Sequence, residues 1–129
     1  MSSNLKTANF DSSVLRYKLV SDSSLTGAAI VDVTQESGTL YYVTLNALTG
    51  INNNYYVKFK FTTGEVVVGT TEPDLVLYLA QDTELKLHMP AGVAYTALSV
   101  WMVDSADDNG TAQTTSGNSA SVTLTMVTS

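Results

Sequence analysis

The chain has no cysteine among its 129 residues, one histidine (His88), one arginine (Arg16) and two prolines. The missing cysteine excludes thiolate zinc sites, cysteine nucleophiles and disulfide staples in one step. Charge is also scarce: 14% of residues are charged, against about a quarter in an average globular protein. The formal net charge is −6, and six cations are too few to neutralise a phosphate backbone, so nucleic acid is excluded as the expected partner. No apolar run approaches the roughly 20 residues of a membrane span, so no membrane is expected as a partner. The start, MSSNLKTANFDSSV, has neither the basic head nor the apolar stretch of a signal peptide, which predicts that the protein is made in soluble form.

What the chain does have is 44% apolar residues, enough for a core, distributed mainly at period two. Candidate strands are VLRYKLV (14–20), AAIVDVT (28–34), TLYYVTLN (39–46), YYVKFKFT (55–62), LVLYLA (75–80), ELKLHM (84–89), ALSVWMVD (97–104) and ASVTLTMV (120–127). Turn residues separate them, including TGINNN at 49–54, PAG at 90–92 and the long DSADDNGTAQTTSGNS at 104–119. About eight short strands at this spacing predict an all-β, two-sheet antiparallel β-sandwich, jelly-roll-like, as a single domain over residues 14–129. Residues 1–13 are polar and lack alternation, so they are expected to form an extended N-terminal arm with Leu5 and Phe10 as its anchors.

Alternation assigns the faces. Leu85, Leu87 and Met89 alternate with Glu84, Lys86 and His88, and Val122, Leu124 and Met126 alternate with Ser121, Thr123 and Thr125. YYVKFKF directs Val57, Phe59 and Phe61 inward and Lys58 and Lys60 outward. ALSVWMVD and TLYYVTLN are apolar on both sides and ask for a second cover, either the 104–119 loop or another subunit. Leaving Trp101, Tyr41 and Val103 in water would forgo several kcal/mol at roughly 1.5–3 kcal/mol for each buried side chain. The expectation is a homo-oligomer, with Leu5, Phe10, Tyr41, Trp101 and Val103 as candidate interface residues.

The chemistry-bearing residues point to no catalytic set, no cofactor and no metal. His88 has no converging partner at local spacing, and the chain lacks a G-x-S-x-G elbow and a P-loop lysine. In VVVGTTEPDL (66–75), Glu72 and Asp74 share a side of an extended chain, yet Gly69, Pro73 and the threonines read as a strand end and turn. In DSADDNG, Asp104, Asp107, Asp108 and Asn109 offer oxygens to a calcium ion, but the spacing departs from an EF-hand loop and turn formation accounts for it. A sugar-stacking platform is disfavoured because Tyr41–Tyr42 and Tyr55–Tyr56 are adjacent pairs that a regular strand splits between two faces.

NFDSSVLRYK (9–18), SGTLYYV (37–43), GTTEPDLVL (69–77) and PAGVAYTALSV (90–100) together resemble small virion structural proteins of tailed bacteriophages. The resemblance runs through most of the chain and rests on turn signatures; Ala97 stands where a glycine is expected. It implies a non-enzymatic virion component, foremost a capsid decoration or cement protein that binds the phage major capsid protein, or another virion protein, at capsomer junctions. A trimer is the oligomer suggested by capsid geometry. The alternative is a tail- or fibre-associated β-sandwich that binds a receptor or glycan.

Overall fold

A computed structural model describes residues 5–9, 17–23, 25, 28–47, 54–107 and 122–129. Eight strands run through them: β1 (Leu5–Asn9), β2 (Lys18–Asp22), β3 (Gly38–Asn46), β4 (Tyr55–Lys60), β5 (Leu75–Leu79), β6 (Glu84–Tyr95), β7 (Ser99–Val103) and β8 (Thr123–Thr128). They form a five-stranded sheet of order β1-β2-β8-β3-β6 and a three-stranded sheet of order β5-β4-β7, with all pairs antiparallel.

The pairing is nested. β2 pairs with β8, Ile30 bridges Val100 at the edge of β7, β3 pairs with β6, and β4 pairs with β5. The chain therefore behaves as one long hairpin folded over on itself into two facing sheets, which is the jelly-roll topology, with β1 added outside it. Its tip is the 61–74 connection. Here Thr70 and Thr71 N–H donate to Val67 O at 3.0 and 2.9 Å, and Gly69 takes φ 91°. Asp74 Oδ2 accepts from Phe61 N–H at 2.7 Å, and Asp74 N–H donates to Phe59 O at 2.8 Å. Asp74 thus closes the turn, and Glu72 lies exposed beside it.

The core lies between the sheets. Val20, Leu40, Val43, Leu45, Leu124 and Met126 from one sheet meet Tyr55, Val57, Phe59, Leu79, Val100 and Met102 from the other. The alternation expected of ELKLHM and ASVTLTMV is present: Leu85, Leu87 and Met89 pack against the core while Glu84, Lys86 and His88 are exposed, and Val122, Leu124 and Met126 are buried.

Several expectations are revised. Residues 28–34 form a single bridge rather than a strand, because Asp32 and Gln35 adopt φ 54° and 59°, outside the strand region. The bridge is nonetheless firm: Ile30 and Val100 exchange bonds of 2.9 and 3.0 Å, and Val33 N–H reaches Leu98 O at 2.7 Å. Residues 90–92 are not a turn but the middle of β6. Ala97 is buried without a positive φ, so glycine is not required there. Within the expected arm, Leu5–Asn9 are the edge strand β1, paired to β2 in the same chain, and Leu5 packs against the core; Phe10 lies outside the described residues.

The interface expected at Trp101 and Val103 is corrected as well. Both are buried within the single chain, at 1% and 0% exposure, so neither offers surface to a partner. Lys58, expected to point into water, is also buried, and its Nζ donates to the backbone carbonyl of Asp107. That contact draws the segment after β7 back over the outer side of the three-stranded sheet, where Lys58 and Trp101 are registered neighbours.

Candidate functional site

The site is built from an irregularity in β3. Leu40 and Val43 are buried, whereas Tyr41 and Tyr42 between them are both only half-buried. A regular strand would send one of them inward. Here the register shifts between Leu40 and Tyr42 against both neighbours. Toward β8, Leu40 pairs with Thr128 and Tyr42 with Val127, so β3 carries one surplus residue, Tyr41. Toward β6, Leu40 pairs with Val93 and Tyr42 with His88, which leaves Met89 to Gly92 opposite Tyr41. Such a bulge re-aims side chains, and this one puts two consecutive tyrosines on one face. The expectation that Tyr41 and Tyr42 split between faces is thereby overturned, while Tyr55 (core) and Tyr56 (half-buried, against Tyr78) do split.

The outcome is a cleft of about 430 Å³ on the outer face of the five-stranded sheet, lined by Tyr17, Tyr41, Tyr42, His88, Pro90 and Val127. Tyr17, just ahead of β2, is 40% exposed and meets Tyr41 edge-on, with ring centroids 5.4 Å apart and planes at 85°. Tyr42 and His88 meet similarly at 6.1 Å and 74°. Edge-on rings hold each other upright, so the walls are set by aromatic packing as well as by the backbone.

Register extends the site across the sheet. Leu19, Val127, Tyr42 and His88 form one cross-strand row over β2, β8, β3 and β6. Two residues along, Ser21, Thr125, Thr44 and Lys86 form the next row on the same face, followed by Thr123, Asn46 and Glu84. Glu84 is engaged there, with Asn46 Nδ2 donating to Oε2 at 3.4 Å and Lys86 Nζ 3.5 Å from Oε1. An aromatic cleft thus borders a strip of small hydroxyl and amide side chains.

The other sequence candidates do not converge on it. Asp74 lines a second hollow with Phe61, Thr62, Ala94, Tyr95 and Thr96, and is committed to the tip turn. Among the described residues no three of His, Cys, Asp and Glu gather where they could hold a metal ion. Asp108 and Asn109 of the calcium reading lie outside the described residues. Of the described members of the expected interface set, Tyr41 alone lines the cleft. Period-two reasoning missed the site, and the signal that could have revealed it is Pro90 and Gly92 inside a strand pattern, since an isolated glycine there marks a bulge. Compared with known proteins, the chain matches no family model, no curated protein and no solved structure.

Proposed function

We propose that this protein is a non-enzymatic structural component of a bacteriophage particle, a capsid decoration protein that attaches to the major capsid protein at capsomer junctions and stabilises the head. The resemblance of its turn motifs supports this reading, and Asp74, one of the two carboxylates at the tip, is committed to a turn. A protein that binds only the assembled lattice shifts assembly against disassembly by mass action, by about 2.7 kcal/mol per site at a free concentration of 100 Kd.

The observation that carries the attachment is the state of the sheet edges. β7 is closed off by the Ile30–Val33 segment. β6 is blunted by Glu84, Lys86, Pro90 and its surplus residues, which are devices that discourage strand pairing. β5, LVLYL, has no charge, no proline and no described strand on its outer side, and Tyr78 on it is 50% exposed. An uncharged edge of this kind accepts a strand from a partner. The same edge serves a second copy of the chain, so the homo-oligomer expected from Trp101 and Val103 is placed by this proposal at β5 instead.

The test is addition of purified protein to heads that lack it, followed by electron cryo-microscopy and light scattering. The expected result is density at capsomer junctions. A variant carrying Val76→Lys and Tyr78→Lys, both on the outward side of β5, should keep its circular dichroism and bind heads at least tenfold more weakly. Density on a tail or fibre, or no binding to heads, overturns the capsid reading.

A further inference from the structure

We propose that the aromatic cleft is a carbohydrate-binding site that takes a pyranose ring of a glycan, with the neighbouring hydroxyl strip receiving the sugar's substituents or next ring. The site lies on the opposite sheet from the β5 edge, so it stands or falls separately from capsid attachment.

A pyranose has C–H faces that prefer an apolar floor and a rim of hydroxyls that both donate and accept hydrogen bonds. The cleft answers the first need with tyrosine rings, Pro90 and Val127, at a volume typical of small-ligand sites. It answers the second with the tyrosine hydroxyls and the His88 imidazole, each able to donate and accept. The row Ser21, Thr125, Thr44 and Lys86 begins about 7 Å farther along the strands, at two residues of roughly 3.4 Å rise. The short Ser21, Thr125 and Thr44 side chains leave room over β2, β8 and β3 for a ring with equatorial groups, and Lys86 on β6 bounds it.

Other ligand classes fit less well. Among the described residues, none of the six that line the cleft is a Lys, Arg, Asp or Glu, so these six supply no counter-charge for a phosphate or an ammonium group. Glu84, the carboxylate of the adjoining strip, is already engaged by Lys86 and Asn46. A proline-rich peptide also favours aromatic grooves, and it is the competing ligand in the experiment below.

The experiment uses the full chain and exploits its single histidine and single tryptophan. Methyl glycosides of glucose, galactose and N-acetylglucosamine are titrated to tens of millimolar while the His88 imidazole resonances are followed, and a glycan array is probed in parallel. At least one sugar is expected to shift His88 saturably and leave the buried Trp101 emission unchanged. Tyr17→Ala and Tyr42→Ala should each weaken that binding at least tenfold, and Tyr78→Ala on the other sheet should not. Tyr17 lies outside the strands, so its variant serves even where Tyr42→Ala fails to fold. A silent array with an unmoved His88, binding that survives the Tyr17 and Tyr42 substitutions, or a response to a polyproline peptide and to no sugar would each overturn the proposal.

Discussion

Tyr41 occupies the space that a side chain on Gly92 would need: a Cβ at Gly92 would come within 2.8 Å of Tyr41 Cε1 and 2.2 Å of Thr39 Cγ2. Gly92 also has φ 76°, so two independent constraints exclude a larger residue. Gly92→Ala is expected to cost about 1–3 kcal/mol through backbone strain, with further loss if Tyr41 is displaced. Urea unfolding should show a lower midpoint with an unchanged slope. An unchanged midpoint would mean that β6 can absorb its surplus residues in another way.

Lys58 tests the cover over the three-stranded sheet. Its stem is buried beside Trp101 and its Nζ holds Asp107 O. Lys58→Ala removes both stem and tether and should cost about 2–4 kcal/mol, in the range of large-to-small changes at buried sites. Lys58→Met restores the stem and should recover most of that loss while leaving the segment after β7 untied. Trp101 fluorescence should shift to the red in the alanine variant, and protease cleavage after Val103 should quicken in both. If neither changes, the cover is held by something other than Lys58.

Deletion of residues 1–9 should leave a cooperative fold. β1 sits outside the nested pairs, and half-buried Leu5 is the side chain of β1 described as packed on the core, so its loss costs about 1 kcal/mol, half of a full leucine burial. Thermal unfolding and circular dichroism check this. Failure of the truncated chain to fold would make β1 an obligatory part of the sandwich.

Folding order follows from loop closure. β4 and β5 face each other across the 61–74 tip, whereas Lys18 pairs with Thr128 at the far ends of the chain. Early closure of the short loop is entropically cheaper, and non-local pairing of this kind predicts folding in milliseconds to seconds. Val57→Ala should mainly slow folding, and Met126→Ala should mainly speed unfolding. Stopped-flow chevrons would show the reverse partition if the terminal strands formed the nucleus.

The sheet strands were largely legible because most of them obey period two, and the burial of Leu124 and Met126 or the exposure of Lys86 and His88 could be read directly. Three features were hidden for identifiable reasons. Lys58 looks like surface because the backbone that covers it, at Asp107, is 49 positions away in sequence, and Trp101 looks like interface because alternation cannot say whether a second apolar face is covered within the chain. Residues 28–34 have strand composition, but Asp32 adopts a left-handed conformation that composition does not announce. The cleft depends on where a surplus residue falls, and alternation is blind to a register shift until the partner strand is known.

The nesting has a consequence for how the protein is made. Among the described residues, every strand pair apart from β1 with β2 joins a residue before the tip to one after it. The amino-terminal half emerging from the ribosome therefore has almost no partner strands of its own and must stay unpaired until the second half follows. A single nick in the tip, at Glu65 or Val66, would leave two fragments that are each unfolded alone and that complete each other strand by strand when mixed.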